Sequence, residues 1–303
     1  MTEIAHTSSF SDLVLAGKVW GREDAPHRVL AVHGWMDNAA TWDHLAPLLV
    51  AAADVRLVAI DLPGHGQSEH RSGKGPYNFL EYIPDIISFA DGLGWDSFSL
   101  MGHSLGAGLT SIIAGLYASR VKHLIVVEGL GPWTNPKKSN FVDDFNKAMF
   151  TNKMVHSRPP PVYADLDAAV DRWCESQPQM KRESVVKLVT RSIKQVENGV
   201  VFSQDRSLRC SSLLRMNEEQ VTECLERIAC PIVVVLGDQG FLFTDYEPLF
   251  KQLYPIRKKA VAKQVVREIV VPGGHHPHLD NPEPVVREIA ALFASPSPAA
   301  AKQ

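Results

Sequence analysis

The amino-acid sequence predicts an α/β fold, in which a mostly parallel, doubly wound sheet carries a helical insertion. Six short apolar runs of strand length recur along the chain, and segments with helical periodicity separate them. Continuous apolar runs are typical of strands that are buried on both faces, as in a parallel sheet. One long segment, residues 130–229, interrupts the alternation, because it carries charged helical patches and no buried strand is expected in it.

The sequence predicts one edge hairpin and six buried strands, which follow one another along the chain. Residues 12–21 alternate in polarity, and we expect them to form an antiparallel hairpin at the sheet edge with the strand that follows. The buried strands are expected at residues 29–32, 55–60, 98–101, 124–127, 232–236 and 268–271.

Three helical segments accompany these strands. Residues 41–49 form a short helical pattern, for which Thr41 is the candidate N-cap. Residues 79–93 carry apolar side chains at helical spacing. Residues 282–293 open with prolines, which are tolerated in the first turn of a helix.

The interruption divides the chain into a core and an insertion. We expect residues 1–129 and 230–294 to form the core and residues 130–229 to form a helical cap over the sheet. Residues 295–303 are small and polar, and they are predicted to be a disordered tail. A chain of 303 residues is long enough to bury a large core.

Composition excludes several classes of function. The net charge of −3 gives no reason to expect a nucleic-acid partner. No apolar run approaches the roughly 20 residues that span a bilayer, and the first ten residues show no secretory signal. We therefore expect a cytoplasmic location, with peroxisomal or vesicular targeting left open.

The four cysteines have no CxxC spacing, so no metal site or disulfide framework is predicted. The oligomeric state is not predicted.

Residues 102–106 read Gly-His-Ser-Leu-Gly, which matches the Gly-x-Ser-x-Gly pattern of a nucleophile elbow. An apolar strand precedes the pattern and a helical stretch of small residues follows it. The two glycines allow the helix to pass close to the strand, and the turn holds Ser104 at the end of the sheet. A chance match in a strand-to-helix loop is the alternative, but the context favours Ser104 as a nucleophile.

Polar side chains collect where the predicted strands end. Glu128 follows the fourth buried strand, Asp238 the fifth and His275 the sixth. Ligands of open parallel sheets bind beyond the carboxyl ends of the strands. Together with Ser104, these residues are compatible with a triad of serine, acid and histidine.

Four motifs carry a family resemblance. They are residues 33–35 (His-Gly-Trp), residues 61–68 (Asp-Leu-Pro-Gly-His-Gly-Gln-Ser), residues 102–106, and residues 274–282 (Gly-His-His-Pro-His-Leu-Asp-Asn-Pro). Through them the chain resembles the α/β-hydrolase superfamily over almost its whole length. Residues 199–209 resemble the cap of the Kraken-like serine hydrolase-like proteins. The resemblance implies an α/β-hydrolase fold with a helical cap.

The resemblance also indicates which histidine is the base. Superfamily members place the catalytic histidine directly after a glycine and seven residues before the proline that opens the last helix. Gly274 and Pro282 satisfy both conditions for His275. His276 and His278 are then expected to be supporting residues. The base must take the serine proton and later give it to the leaving group.

The acid of the triad has two candidates. Many superfamily members carry it in a Gly-x-x-Asp pattern after the fifth strand, but here that position is Gly240, and Asp238 is out of register. Glu128 closes the preceding strand, where haloalkane dehalogenases and their luciferase relatives place the acid. A carboxylate at the end of a buried strand needs a partner. We therefore favour Glu128 and keep Asp238 as the alternative.

The predicted function is cofactor-free hydrolysis of a carboxylic ester or related small acyl compound through an acyl-enzyme. The backbone N–H groups of Trp35 and Leu105 are the candidate donors of an oxyanion hole. A carbon–carbon bond hydrolase or lyase with the same triad is an alternative. A ligand-binding receptor with slow turnover is another.

The substrate is not predicted beyond this class. Six large side chains of the cap either line an apolar pocket or pack the cap onto the core. They are Trp133, Phe141, Phe145, Met149, Phe150 and Trp173.

Overall fold

A computed structural model describes residues 1–134, 141–210, 212–244, 248–264 and 266–294 of the chain. The strands are β1 (Thr2–Thr7), β2 (Val14–Trp20), β3 (His27–Val32), β4 (Val55–Ile60), β5 (Phe98–His103), β6 (Val121–Val127), β7 (Ile193–Val196), β8 (Gly199–Phe202), β9 (Ile232–Gly237) and β10 (Val266–Val271). The α-helices are α1 (Leu45–Ala53), α2 (Tyr82–Gly92), α3 (Leu105–Leu116), α4 (Phe141–His156), α5 (Leu166–Ser176), α6 (Arg182–Arg191), α7 (Glu218–Glu226), α8 (Pro248–Ala260), α9 (Pro277–Asp280) and α10 (Pro282–Ala294).

Eight strands form one sheet in the order β1-β2-β4-β3-β5-β6-β9-β10. The six strands from β4 to β10 in this order are parallel, whereas β1 and β2 are antiparallel to their neighbours. The predicted α/β fold with a mostly parallel sheet is confirmed. Each predicted buried strand lies within an observed one. In the register, Val32 faces Gly102 and His103 faces Val127, so β3, β5 and β6 end level with one another.

The predicted edge hairpin is wrong in its partner. Residues 12–21 were expected to pair with the following strand, but β2 pairs with β1, which precedes it, and with β4. The strand that follows, β3, lies at the centre of the sheet between β4 and β5. The sequence of β1, Thr-Glu-Ile-Ala-His-Thr, contains no apolar run, because an edge strand with an exposed face does not need one.

The inserted segment contains a strand pair as well as helices, contrary to the prediction. Strands β7 and β8 form an antiparallel hairpin, and Gly199, Val200 and Val201 of β8 are buried. This run is only four residues long and begins with a glycine, so its apolar character is easily overlooked. A Cβ atom on Gly199 would lie 2.0 Å from the carbonyl oxygen of Tyr163, which accounts for the glycine.

The predicted boundary between cap and core does not coincide with a clear separation in the structure. Helix α7 lies within the predicted cap, residues 130–229, yet it packs against α3 and α8. The division into core and cap therefore stays a prediction. The predicted disordered tail, residues 295–303, lies outside the described residues.

The predicted N-cap Thr41 lies inside a helix instead. A 3-10 helix spans Ala39–Trp42, and the side chain of Asn38 caps it by accepting a hydrogen bond from Ala40 N. The buried hydroxyl of Thr41 lies 2.8 Å from His278 Nε2, so it contributes to tertiary packing rather than to capping. Helix α1 begins only at Leu45.

Two apolar clusters sandwich the sheet. Leu30 and Val32 belong to one cluster, and Val29 and Ala31 belong to the other, as the alternation of side chains along β3 requires. Full burial of such a side chain contributes about 1.5–3 kcal/mol, so packing on both faces stabilises the sheet that carries the strand ends. Among the helices of the described ranges, none has the length and apolar character needed to cross a bilayer.

Candidate active site

Ser104 stands in a strained turn between β5 and α3. Its backbone has φ 52° and ψ −110°, a left-handed conformation that costs a side-chain-bearing residue on the order of 1–3 kcal/mol. The turn is held because Ser104 N–H donates to the Val127 carbonyl at 3.0 Å and its own carbonyl accepts from Gly108 N–H at 3.0 Å. Ser104 is half-buried at the carboxyl end of the sheet. This is the geometry expected of a nucleophile elbow.

The glycines on either side of Ser104 are required by close backbone contacts. A Cβ atom on Gly102 would lie 2.3 Å from the carbonyl oxygen of Gly106. A Cβ atom on Gly106 would lie 2.2 Å from the carbonyl oxygen of Val32. Helix α3 can therefore cross the end of β3 only with glycine at both positions.

His275 lies in the loop between β10 and α9, and its side chain is 15% exposed. Its Nδ1 atom lies 3.4 Å from Glu128 Oε2. The ring stacks on Phe241, with the centroids 3.8 Å apart and the planes at 18°. Burial, followed by the imidazoles of His103 and His276, lowers the pKa of His275 well below its usual value. His275 is therefore held as a neutral imidazole with one nitrogen toward a carboxylate.

No hydrogen bond joins Ser104 Oγ to His275, although both residues are within the described part of the chain. Hydrogen bonds of this kind are often long in free enzymes and shorten when substrate is bound.

Glu128 follows β6 and is 2% exposed. Its carboxylate accepts hydrogen bonds from Gly237 N–H at 2.7 Å and from Phe241 N–H at 2.8 Å. Burial raises the pKa of Glu128 to about 7, while these two backbone donors act in the opposite direction. The N–H groups fix the carboxylate so that one of its oxygens faces His275.

Gly240 explains how Glu128 occupies this place. A Cβ atom on Gly240 would lie 2.2 Å from Glu128 Oε1, so the carboxylate fills the space of a side chain at position 240. Asp238, the alternative acid, is exposed and accepts a hydrogen bond from Gly273 N–H at 3.0 Å. Within the described residues it makes no hydrogen bond to His275. The structure thus brings Glu128 to the histidine, and not Asp238.

The two residues of the predicted oxyanion hole, Trp35 and Leu105, line the same cavity as Ser104. Leu105 is the first residue of α3, so its N–H has no carbonyl partner within the helix. Trp35 follows Gly34, where a Cβ atom would lie 2.8 Å from His103 Nδ1, so the loop packs closely on the elbow. Trp35, Leu105 and Ser104 line one cavity. The role of the two N–H groups stays a prediction.

This cavity, which we call the acyl cavity, has a volume of about 770 Å³. Apolar side chains form much of its wall, among them Phe79, Leu80, Trp133, Phe241 and Phe250. Such walls suit a hydrocarbon chain. Of the cap residues singled out in the sequence, Trp133 lines this cavity and Trp173 lines a second one. The others are exposed on α4, namely Phe141, Phe145, Met149 and Phe150.

A buried polar cluster beneath the site includes a residue that sequence reasoning missed, Asp37. Its Oδ2 atom lies 3.1 Å from His276 Nε2 and 3.2 Å from His103 Nδ1. The other nitrogen of His103 lies 2.8 Å from the carbonyl oxygen of His275. No local pattern reveals the cluster, because its members come from three distant parts of the chain.

The charges of this cluster balance. Burial acts to lower the pKa of His276, but the Asp37 carboxylate outweighs it and raises that pKa. Burial conversely acts to raise the pKa of Asp37, and the imidazoles of His276 and His103 hold it well below its usual value. His276 and Asp37 therefore favour each other's charged forms next to His275, and His103 anchors the backbone of that residue.

A further ion pair fastens the inserted segment to the sheet. Arg191 at the end of α6 donates to Asp61 Oδ2 at 2.9 Å and to Glu3 at 2.9 Å. Asp61 also accepts from the backbone N–H groups of Ala39 and Gln67. The Asp61 carboxylate therefore holds the loops that follow β3 and β4 together through hydrogen bonds in the interior.

Comparison with known proteins defines the class. A model of the alpha/beta hydrolase family matches residues 29–288, so the chain belongs to this family. A serine hydrolase-like protein of Dictyostelium discoideum is 32% identical over 88% of this chain and 75% of its own length. A serine hydrolase-like protein of Danio rerio is 30% identical over 94% of this chain and 86% of its own length. The predicted resemblance to Kraken-like serine hydrolase-like proteins is confirmed.

A solved structure extends the likeness to three dimensions. The hypothetical protein PA1622 from Pseudomonas aeruginosa has a TM-score of 0.85 at 31% identity, covering 97% of this chain and 100% of that chain.

Proposed function

We propose that this protein is a serine hydrolase that cleaves a carboxylic ester or related acyl compound through a covalent acyl-enzyme. The observation that carries the proposal is the Glu128 carboxylate, which is buried, fixed by two backbone N–H groups and 3.4 Å from His275 Nδ1. Ser104 stands at the same sheet edge in the strained conformation of an elbow. The serine hydrolase-like relatives support the same class of activity.

In the proposed acylation step, His275 accepts the proton of Ser104 Oγ as that oxygen attacks the ester carbonyl. Glu128 stabilises the imidazolium that forms. The N–H groups of Trp35 and Leu105 stabilise the negative charge on the carbonyl oxygen. The carbon–oxygen bond to the alcohol then breaks, and His275 returns its proton to the departing alkoxide.

Deacylation repeats the step with water as the nucleophile. His275 takes a proton from water, the hydroxide attacks the acyl carbonyl, and the proton returns to Ser104 Oγ as the acid is released. The apolar wall of the acyl cavity accommodates the hydrocarbon part of the substrate. The proton acceptor and the nucleophile of acylation belong to this chain, and water is the second substrate.

A fluorophosphonate probe tests whether Ser104 is activated. We expect intact-mass measurement to show one added phosphonyl group per chain and no addition to Ser104→Ala. Ser157→Ala is the control, because Ser157 is exposed in the inserted segment and lines neither cavity.

The reaction with substrate separates the proposal from its alternatives. Labelling of Ser104 together with hydrolysis of p-nitrophenyl esters supports the esterase. Labelling without ester hydrolysis would favour carbon–carbon bond cleavage on the same triad. A folded protein that is neither labelled nor active would be a ligand-binding receptor instead.

A further inference from the structure

A second cavity lies in the inserted segment, and its wall is rich in arginine. It has a volume of about 510 Å³ and is lined by aromatic rings and a run of prolines, Pro159, Pro160 and Pro161. Four arginines line it, and Asp205 is the one carboxylate among the described lining residues. The arginines are Arg158, Arg172, Arg206 and Arg209. We call this space the arginine cavity.

Existing contacts occupy some of these charges. Arg172 is paired with Glu175 at 3.0 Å, and Arg206 donates to the carbonyl of Val155. The carboxylate of Asp205 accepts from the Tyr77 hydroxyl at 2.8 Å and from Ser207 N–H at 2.8 Å. Within the described residues no ion pair joins Asp205 to an arginine, and its hydrogen bonds direct the carboxylate toward Tyr77 and Ser207.

Arg158 and Arg209 remain as available guanidinium groups. Neither forms an ion pair or a side-chain hydrogen bond with any residue in the described ranges, and both are exposed to solvent. A guanidinium presents a planar set of N–H donors that matches a carboxylate or a phosphate in bidentate fashion. An anion in the arginine cavity therefore meets donors without breaking an existing ion pair.

Arg209 lies where this cavity adjoins the cavity of the candidate active site. It lines the arginine cavity and the acyl cavity, and the acyl cavity contains Ser104. A molecule whose ester carbonyl lies at Ser104 and whose chain extends past Arg209 would therefore enter the arginine cavity. The aromatic rings of Tyr163, Trp173 and Phe202 provide an apolar wall beside the charges there.

We infer that the arginine cavity binds an anionic group, a carboxylate or a phosphate, at the end of the substrate remote from the cleaved ester. The inference rests on the proposed function, because it assigns a substrate class to that same site. The substrate is then an acyl compound with one hydrolysable bond and one negative charge at a fixed distance from it. The charge pairs with Arg209 and Arg158.

Calorimetric titration tests the binding site without depending on hydrolysis. The ligands are octyl phosphate, octanoate and octanol, which share a chain and differ in the head group. We expect the two anions to bind more tightly than octanol, and Arg209→Gln and Arg158→Gln to weaken anion binding by roughly 10-fold or more. Arg227→Gln is the matched control. Arg227 is a surface arginine directly after α7; it pairs with Glu223 and lines neither cavity.

The two anions separate the possible sources of charge. A preference for octyl phosphate indicates a phosphate-bearing substrate, and a preference for octanoate indicates a carboxylate. Equal binding of all three ligands to the wild type, or anion binding that survives both substitutions, would overturn the inference.

A kinetic series distinguishes failure of this inference from failure of the proposed function. The substrates are p-nitrophenyl monoesters of dicarboxylic acids, from butanedioic to dodecanedioic acid, and the corresponding methyl-capped diesters. We expect one chain length at which the free acid has a kcat/KM at least about 10-fold above its capped partner, with the ratio falling in Arg209→Gln. Hydrolysis of all compounds with no preference for the acid leaves the hydrolase intact and refutes the anion site. Absence of any hydrolysis refutes the hydrolase, and the titration then decides the anion site alone.

Discussion

Two carboxylates stand at the ends of adjacent strands, and their surroundings differ. Glu128 is buried and hydrogen-bonded toward His275, whereas Asp238 is exposed and bonded to a loop N–H. Glu128 can occupy its buried place because Gly240 has no side chain, which leaves room for the glutamate carboxylate.

The first prediction compares these two carboxylates. Glu128→Gln should lower kcat by roughly 10²–10⁴-fold, because it removes the charge that stabilises the imidazolium and favours the wrong tautomer. Asp238→Asn should cost much less. The measurement is kcat of both variants on one ester, with circular dichroism to verify folding. A severe loss in Asp238→Asn beside a mild one in Glu128→Gln would reverse the assignment.

The second prediction relocates the acid. In wild-type protein, Gly240→Asp should be destabilising, because its Cβ atom would lie 2.2 Å from Glu128 Oε1. In a Glu128→Ala background the space is vacated, and Gly240→Asp should recover kcat by roughly 10-fold or more over Glu128→Ala alone. A folded double variant with no recovery would argue against a carboxylate requirement at this place.

The third prediction concerns pH. Protonation of the Glu128–His275 pair removes the base, so activity is lost as pH falls through the apparent pKa of the pair. Because burial raises the pKa of Glu128 to about 7, kcat/KM should decrease below about pH 7. His276→Asn removes a positive neighbour whose charge opposes protonation of His275, so the acid limb should move to higher pH. An unchanged acid limb in this variant would show that the buried ion pair does not act on the base.

At the scale of elements, two parts of the inserted segment differ in what their aromatic side chains contact. The segment before α4 contributes Trp133 to the acyl cavity, whereas α4 presents Phe145 to solvent, with 37% of that residue exposed. Both aromatic residues lie in the predicted cap, so they form a matched pair for testing which part of it contacts substrate.

The fourth prediction uses this pair. Trp133→Ala should lower the ratio of kcat/KM for p-nitrophenyl octanoate over the acetate by roughly 10-fold, because an apolar wall is lost. Phe145→Ala should leave the ratio near that of the wild type. Loss of activity toward the acetate as well, in a folded Trp133→Ala protein, would indicate a role for the segment in the chemistry.

The sequence predicts elements well where a single physical cause determines them. Continuous apolar runs identified the buried strands, and the paired glycines identified the turn at Ser104, because both signals are local. Strand β1 was missed because an edge strand needs no apolar run, and β8 because it is only four residues long. The contacts of Asp37 and the room beside Gly240 depend on residues far apart in the chain, which no local pattern reveals.

At the scale of the whole molecule, the inserted segment and the sheet are joined by charge as well as by apolar packing. Arg191 of α6 contacts both Asp61 and Glu3, and Asp61 is fully buried. Removal of one member of a buried ion pair leaves the other charge without a partner.

The fifth prediction follows from this pair. Asp61→Asn should lower the free energy of unfolding by about 3 kcal/mol, because Arg191 would lose its buried counter-charge and keep only Glu3, which is half-exposed. Urea denaturation at neutral pH measures the change. Asp54→Asn is the control, since Asp54 pairs with Arg22 at the surface, and its unfolding midpoint should match the wild type. Equal midpoints for both variants would show that the buried pair does not hold the segment in place.

Ser104 and Glu128 are both non-glycine residues with a φ of 52°, and they terminate the neighbouring strands β5 and β6. The proposed nucleophile and acid thus belong to one strand–helix–strand unit, residues 98–128, whereas His275 follows almost 150 residues after Glu128. A ribosome therefore makes the first two groups well before the third. A nascent chain that stops short of residue 275 has an elbow and a carboxylate but no histidine base, so the proposed chemistry can begin only after that residue has been made.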